Sequence, residues 1–256
     1  MHKPVILITN DDGIMAPGIR HLISFMIELG DIVVVAPDKP QSGMGHAVTI
    51  SSPLRLKKIS ADGEYPEYSC SGTPVDCVKI AVNKVLHKKP DLIVSGINHG
   101  SNASINVIYS GTMSAAIEGA MESIPSIGFS LMDFSFEANF LAAKKYIKQI
   151  AANVLEKGLP QGCCLNVNIP AVVESELKGV KICRQARGNW EEVFDHRRDP
   201  RGVDYYWLSG EFKVHENSKD TDEWALQNNF ISVVPVQFDF TAHNFIPELK
   251  NWRFNV

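Results

Sequence analysis

The sequence predicts an α/β fold in which helices cover both faces of a mainly parallel central sheet. Short, continuously apolar segments alternate with helix-like segments through the first 170 residues. Strands of this kind are buried on both faces, which is typical of a parallel sheet between two layers of helices. A polar region with many aromatic residues follows from Lys181, and it predicts an extended, hairpin-like structure that projects from the core.

The first three elements form a strand–helix–strand unit. Residues 4–10 (PVILITN) predict a buried strand because they are almost continuously apolar or β-branched. Residues 18–30 predict a helix that ends at Gly30. Its apolar residues recur at helical spacing: Ile19, Leu22, Ile23, Met26 and Ile27. Residues 31–37 (DIVVVAP) predict a second buried strand.

A loop at residues 38–53 precedes the next elements. Residues 74–86 predict a helix with Pro74 in its first turn, where proline is well tolerated. Residues 90–98 then predict another buried strand, and residues 111–123 a helix that is rich in small side chains.

Three more elements complete the predicted core: a strand at 125–131, a helix at 136–158 and a strand at 163–170. Residues 221–244 return to a short helix and a strand. The chain shows no internal repeat and no linker between independent units. We therefore expect one domain over residues 1–256, with a core at 1–180 and a hairpin and C-terminal segment at 181–256.

The composition excludes several classes of protein. The net charge of −4 gives no basic surplus, so we expect no nucleic-acid partner. No apolar stretch reaches the roughly 20 residues of a membrane span, so we expect no membrane partner. The five cysteines form no CxxC pair, which argues against a disulfide framework and a zinc site. Reduced thiols and a cytoplasmic location are the simplest interpretation.

Three loops follow the carboxyl ends of predicted strands, at residues 10–13, 38–45 and 95–102. Open parallel sheets bind their ligands outside these strand ends. We therefore expect the three loops to face one another at one edge of the sheet.

Two adjacent carboxylates, Asp11 and Asp12, end the first predicted strand, and Gly13 allows a tight turn after them. Like charges side by side repel, so both need open water or a partner of opposite charge. Carboxylates combined with other oxygen ligands suit a hard divalent cation such as Mg²⁺ or Mn²⁺. In the alternative interpretation Asp12 caps the following helix and Asp11 is merely solvated.

The second loop (QSGMGH) places Ser42 beside Gly43. A hydroxyl next to glycine can bind a metal or cap a phosphate-binding turn, and an ordinary flexible loop is the alternative. His46 has three interpretations that the sequence leaves open: a general base, a phosphate contact or a structural histidine.

The third loop and the helix after it carry a dense set of small polar residues that are poor core material. The helix predicted after Ser110 offers N-terminal amides and a dipole that favour an anion. We therefore predict a phosphate or nucleotide site, with a structural loop as the alternative. The pattern is neither a P-loop nor a dinucleotide fingerprint. A metal beside a phosphate indicates metal-assisted hydrolysis of a phosphomonoester.

Five segments resemble successive motifs of the SurE (survival protein E) nucleotidases, in the family's order and spacing: ILITNDDGIMAPGI, VVAPDKPQSGMGHAVT, CSGTPVDCVKIA, PDLIVSGINHGSN and YSGTMSAAIEGA. The resemblance resumes in TDEWALQNNFISVVPVQFDFT. It implies a Rossmann-like three-layer sandwich with a C-terminal extended β-hairpin used in subunit exchange, and a homodimer or homotetramer. It also implies hydrolysis of nucleoside 5′-monophosphates, often of 3′-monophosphates, and sometimes of short polyphosphate.

The resemblance further implies one divalent cation per subunit, Mg²⁺ or Mn²⁺, bound by Asp11, Asp12, Ser42 and Asn98. By motif position, the implied phosphate contacts are Gly43, Asn102, Ser110, Gly111 and Thr112. We expect a metal-activated water to attack the phosphorus, with Asp11 and Asp12 as catalytic residues and Asp11 bridging to the water. Ser104 and Ile105 stand where we expect glycine and an acidic residue in the family. This departure leaves the nucleobase preference and the outer pocket open.

Three other classes share part of the pattern. A phospho-receiver module has an acidic pair after its first strand, but it needs a third aspartate and a lysine where this chain offers Gly96 and Asn98. A haloacid-dehalogenase-type phosphatase needs the spacing DxDx[T/V], which NDDG does not provide. A binding protein without turnover is the remaining alternative.

The region 184–207 is rich in aromatic residues for a solvated excursion: Trp190, Phe194, Tyr205, Tyr206 and Trp207. An exposed aromatic ribbon tends to seek a partner. We therefore predict that this region forms a subunit interface.

Overall fold

The computed structural model describes residues 3–60, 64–135 and 137–254. The strands in this part of the chain are β1 (Val5–Thr9), β2 (Asp31–Pro37), β3 (Leu56–Ser60), β4 (Glu67–Cys70), β5 (Leu92–His99), β6 (Ser126–Leu131), β7 (Cys163–Ile169), β8 (Val180–Ile182), β9 (Gly188–Arg198), β10 (Asp204–Val214) and β11 (Ile231–Gln237). The α-helices are α1 (Pro17–Met26), α2 (Pro74–Ile80), α3 (Gly111–Met121), α4 (Lys144–Lys157), α5 (Asp222–Gln227) and α6 (Ile246–Leu249).

The central sheet has nine strands in the order β3-β4-β2-β1-β5-β6-β7-β11-β8. From β4 to β7 every neighbouring pair is parallel, whereas β3 and β11 run antiparallel to β4 and β7. Alternate residues of β1 point to opposite faces: Ile6 and Ile8 pack with α1 and α4, while Leu7 packs with α2 and α3. The predicted three-layer α/β fold is therefore confirmed.

The direction in which strands are added reverses between β1 and β5. After β1 the chain adds β2 and β4 on one side, and then β5, β6 and β7 on the other. A crevice forms at such a reversal because the loops that follow the two strands, β1 and β5, leave the sheet toward opposite faces. The carboxyl ends of β1 and β5 border this crevice.

The predicted helix at 18–30 is too long. Helix α1 ends at Met26, and the chain then turns into β2. Gly30 has a role other than ending the helix, since a Cβ at this position would lie only 2.4 Å from the carbonyl oxygen of Pro4. Glycine here lets the chain pass close to the start of β1.

Two short strands, β3 and β4, were absent from the sequence prediction. β3 is an edge strand that carries two lysines, and such charged edges lack the apolar run of a buried strand.

The helix predicted at 74–86 is α-helical only to Ile80 and continues as a π-helical turn, Ala81–Val85. The helix predicted at 136–158 begins later: a 3₁₀ turn, Phe140–Ala143, precedes α4, and Phe136 lies outside the described residues.

Strands β9 and β10 form the predicted extended hairpin, a separate antiparallel sheet that is largely exposed. The C-terminal segment also contributes to the core, because β11 lies between β7 and β8 in the central sheet. The ends of the expected single domain, residues 1–2 and 255–256, lie outside the described residues. Among the helices that the structure describes, none has both the length and the hydropathy to cross a bilayer.

Candidate active site

A cleft of about 330 Å³ opens at the carboxyl ends of β1 and β5. It is lined by residues from the three loops at the sheet edge, from the segment that leads into α3, from the hairpin and from the loop after β6: Asp11, Asp12, Ser42, Gly43, Asn98, His99, Gly100, Ser101, Asn102, Asn106, Tyr109, Ser110, Phe134 and Trp190. The structure thus brings the four candidate metal ligands, Asp11, Asp12, Ser42 and Asn98, to one cleft.

Asp11 is almost fully buried, with 5% of its surface exposed. The Thr112 hydroxyl donates a hydrogen bond to its Oδ1. Burial raises the pKa of Asp11 to about 6, with a further increase from the neighbouring charge of Asp12, and the Thr112 bond opposes this shift. The carboxylate therefore sits where its charge is poorly compensated by the protein alone.

The N-terminus of α3 approaches Asp11 closely. A Cβ at Gly111 would lie 2.7 Å from the Cβ of Asp11, so only glycine allows this approach. Ser110 caps the helix, with its hydroxyl accepting a bond from the Met113 amide at 3.0 Å. The positive end of the helix dipole therefore faces the acidic pair.

Asp12 contacts the end of β5. Its Oδ2 accepts a hydrogen bond from the His99 amide at 3.3 Å and lies 3.1 Å from Nδ1 of the same histidine. The interpretation of Asp12 as a helix cap is wrong, because α1 follows Ala16, which has no side-chain cap. Asp12 is thus held to His99 within the cleft.

The loop after β2 is attached to the β1 end and to α3. The Gln41 amide donates to the Asp11 carbonyl at 2.7 Å, which places the exposed Ser42 beside the acidic pair. His46 lies 3.0 Å from Oε2 of Glu118, a nearly buried α3 residue whose other oxygen binds Lys79 at 2.5 Å. His46 does not line the cleft, and its contact with Glu118 is one that the structural interpretation of this histidine predicts.

The end of β5 carries Asn98 into the cleft through a local irregularity in strand pairing between Ser95 and Asn98. The Asn98 side-chain Nδ2 donates to the Gly100 carbonyl at 2.8 Å. This bond fixes the orientation of the amide, so that its oxygen is the atom available to a cation.

The candidate phosphate contacts fall into two groups. Gly43, Asn102 and Ser110 line the cleft, whereas Gly111 and Thr112 lie against Asp11 and are not part of the lining. Thr112 is fully buried, and its hydroxyl is engaged by the Asp11 carboxylate. Its side chain therefore holds Asp11 in position in this structure.

Two buried asparagines of β7 position the Asn102 loop, and sequence reasoning did not single them out. The Oδ1 of Asn168 accepts from the Asn102 amide at 2.7 Å, and Asn166 donates to the Asn102 carbonyl at 2.8 Å. The two side chains also bond each other. The signal was visible in CCLNVNIP, where asparagines alternate with apolar residues on a buried strand that otherwise excludes polar groups.

Aromatic residues form the outer wall of the cleft, and they too were not among the candidate site residues. Tyr109 precedes the α3 cap, and Trp190 reaches the cleft from the base of the hairpin. The Trp190 indole N–H donates to Oδ1 of Asn106 at 2.8 Å, which fixes the ring against the loop before α3. Only the tertiary fold brings residue 190 next to residue 106.

The side chains in the cleft fit a hard divalent cation. The four candidate ligands offer carboxylate, hydroxyl and amide oxygens, the donors that Mg²⁺ and Mn²⁺ prefer. In the described part of the chain, no group of three or more His, Cys, Asp and Glu side chains is placed to hold a metal. A cation at this cleft would therefore use the serine and asparagine oxygens together with the two carboxylates.

A family profile, curated relatives and a solved structure all relate this chain to the same family. The sequence profile of the family described as "Survival protein SurE" matches residues 6–192. A protein named 5′-nucleotidase SurE from Flavobacterium psychrophilum is 65% identical over 256 residues, which span all of both chains. A protein of the same name from Christiangramia forsetii is 62% identical over 255 residues, or 99% of this chain and 98% of that one. The crystal structure of the SurE protein from Aquifex aeolicus superposes with a TM-score of 0.84 at 39% identity, covering 96% of this chain and 98% of that chain.

Proposed function

This chain belongs to the SurE family, and we propose that it is a 5′-nucleotidase that hydrolyses nucleoside monophosphates in the cleft between β1 and β5. The observation that carries this proposal is the meeting of Asp11 and Asp12 with the capped N-terminus of α3 at one edge of the sheet. An acidic pair binds a cation and a helix N-terminus binds an anion, so the two together suit a metal–phosphate pair. The high identity to proteins named 5′-nucleotidase SurE supports the nucleotide substrate.

The proposed cofactor is one divalent cation, Mg²⁺ or Mn²⁺, held by Asp11, Asp12, Ser42 and Asn98. When bound there, it would polarise the phosphoryl oxygens and lower the pKa of a water ligand. Thr112 fixes the Asp11 carboxylate by its hydrogen bond, and His99 fixes Asp12. These contacts hold the two acids in place before substrate binds, which reduces the reorganisation that the reaction requires.

Side chains and amides of the protein are proposed to bind the phosphate and to activate the attacking water. Ser110, Gly43 and Asn102 line the cleft beside the acidic pair and are proposed to donate to the phosphate oxygens, with the amides of Gly111 and Thr112 at the helix start. Asp11 is the proposed group that orients the attacking water and accepts its proton.

Phosphate release from purified protein tests the proposal directly. We expect AMP to be hydrolysed, EDTA to abolish the activity, and added Mn²⁺ or Mg²⁺ to restore it, because without a cation the two carboxylates would repel the negatively charged phosphate. A panel of 5′- and 3′-monophosphates and a short polyphosphate then defines the substrate range. Activity that persists fully after removal of metal, or a stable aspartyl-phosphate after acetyl-phosphate treatment, would contradict the proposed mechanism.

We also propose that the enzyme is a homodimer or homotetramer held through the hairpin. Several large apolar side chains on β9 and β10 are mostly exposed, including Phe194, Tyr206 and Trp207 at 60% each. Exposed aromatic surface of this extent is typical of a subunit contact.

A cytoplasmic location is proposed as well, since all five cysteines are buried free thiols.

Shortening the hairpin should reduce the mass of the assembly. Phe194 and Leu208 are directly paired, so residues 195–207 can be replaced by Asn-Gly, which closes a two-residue hairpin turn. This change removes Tyr206 and Trp207 but retains Trp190. Light scattering should show an oligomer for the native chain and a single-chain mass for the variant, with circular dichroism as the control for folding. A native chain that is already monomeric would refute the proposed interface.

A further inference from the structure

We propose that the cavity between Tyr109 and the base of the β9–β10 hairpin binds the nucleobase of the substrate, and that Trp190 is the residue on which the base stacks. The inference rests on the proposed function, because it names the part of the nucleotide that this neighbouring cavity accepts. The cavity has a volume of about 420 Å³ and is lined by Tyr109, Trp190, Glu192, Leu208, Ser209 and Gly210. This volume is within the usual range for small-molecule sites.

The cavity lies next to the metal and phosphate cleft. Tyr109 and Trp190 line both, so the two spaces share one aromatic wall. Tyr109 immediately precedes Ser110, the cap of α3. A phosphate at the start of α3 would therefore have the aromatic cavity next to it, which is the order of groups along a nucleotide: phosphate, sugar and base.

The hairpin forms this cavity because one cross-strand position has no side chain. Directly opposed residues of an antiparallel pair lie on the same face, and here Trp190 opposes Phe212 while Glu192 opposes Gly210. Gly210 has a φ of +152°, and a Cβ there would lie 2.4 Å from the Glu191 carbonyl oxygen. The position opposite Glu192 must therefore stay open, which leaves room beside the indole of Trp190.

Trp190 is held in place for stacking. Its indole N–H is bonded to Asn106 at 2.8 Å, and its ring packs edge-on against Phe212 with the centroids 5.7 Å apart. Yet 43% of its surface is exposed. A fixed and accessible aromatic face binds a base with little loss of side-chain entropy.

The lining also favours one class of base. Glu192 is the charged residue among those that line the cavity, and a carboxylate only accepts hydrogen bonds. It would pair with an exocyclic amine, as adenine and cytosine carry, and would be repelled by a carbonyl at the same position. We therefore expect AMP and CMP to be preferred over UMP.

The test compares AMP with ribose 5-phosphate, which has the same phosphate and sugar but no base. In the native protein kcat/KM should be higher for AMP, and Trp190→Ala should reduce the AMP to ribose 5-phosphate ratio roughly tenfold, mainly through KM, as expected for loss of one base–aromatic stack. Trp190→Phe should retain most of the ratio. Trp207→Ala is the matched control: it removes an exposed tryptophan of the same hairpin that does not line the cavity, and the ratio should not change.

Adenosine supplies a second measurement that is independent of nucleotide turnover. It should inhibit ribose 5-phosphate hydrolysis competitively in the native protein and about tenfold more weakly in Trp190→Ala. A native ratio near one, or a ratio that Trp190→Ala leaves unchanged while the mass of the assembly falls, would overturn the base site in favour of a subunit contact. If the native protein released phosphate from neither compound, the proposed function itself would fail.

Discussion

Replacing Asp11 by asparagine is expected to lower kcat for phosphate release at least about 100-fold at saturating metal, more than loss of a residue that merely supports a metal ligand. Asparagine has nearly the same shape and can still accept the Thr112 hydrogen bond, so the fold should survive. What the variant loses is one of two adjacent negative charges in the cleft. Steady-state kinetics with AMP and calorimetric titration of Mn²⁺ would measure the loss of rate and the loss of metal affinity separately.

The same variant should gain stability when no metal is bound. The pKa of Asp11 is raised from 3.8 to about 6 by its burial and by the charge of Asp12. Since the folded value lies above the unfolded one, ionisation of Asp11 lowers the free energy of unfolding as the pH rises through this interval, and the loss persists above it. At pH 8 in EDTA, Asp11→Asn should therefore unfold with a free energy up to about 2–3 kcal/mol higher, and the difference should vanish near pH 3.

Asp38→Asn is the matched control for both measurements. Asp38 follows β2 at the same edge of the sheet, but it is exposed and does not line the cleft. Its substitution should leave kcat, metal affinity and stability nearly unchanged. An Asp11→Asn protein that keeps most of its activity at saturating metal would remove Asp11 from the mechanism.

The position of Asp11 at the edge of the sheet could be predicted from the sequence. An apolar strand that ends in adjacent acids places them at a ligand-binding edge, and this follows from local pattern and the rule for parallel sheets. The pattern is also sufficient for the buried apolar strands and the helices of the first half, although not for the short strands β3 and β4. It could not show that Gly111 brings the start of α3 against Asp11, because that contact depends on how the helix crosses the sheet.

The aromatic wall of the cleft, formed by Tyr109 and Trp190, could not be predicted from the sequence for the same reason. Trp190 and Asn106 are separated by 84 residues, and no periodicity links the hairpin base to the loop before α3. The hairpin aromatics predicted an interface as one group, whereas the structure separates Trp190, which lines the cleft, from Trp207, which does not. Strand β3 escaped detection because its lysines remove the apolar signal on which strand prediction depends.

Ser104 illustrates a departure from a family pattern that the structure explains. It stands where we expected glycine, and its φ is +54°, in the left-handed region that glycine favours. The residue is fully buried, its amide donates to Asp222 at 2.8 Å, and its hydroxyl donates to the Ala186 carbonyl at 2.8 Å. These bonds offset the strain of the backbone and join the cleft loop to the root of the hairpin.

Asp222 is the centre of this junction, and Asp222→Ala is expected to destabilise the protein by about 3–6 kcal/mol. Its fully buried carboxylate accepts from three amides, those of Ser104 at 2.8 Å, Ala186 at 2.9 Å and Glu223 at 2.8 Å. Alanine leaves these donors without the acceptor that satisfies them, and each buried unpaired group costs roughly 1–3 kcal/mol. Chemical denaturation monitored by circular dichroism would measure the loss.

Because of the position of Asp222, the Asp222→Ala substitution is expected to weaken substrate binding as well as stability. Its partners Ser104 and Ala186 belong to the cleft loop and to the segment that leads into β9, so breaking the junction frees the two walls that meet at Trp190. In the cold, where the variant stays folded, KM for AMP should rise more than kcat falls. Asp199→Ala is the control, because Asp199 accepts from two amides, of Arg201 and Val203, but is partly exposed to water. Equal destabilisation by the two substitutions would show that burial does not set the strength of this junction.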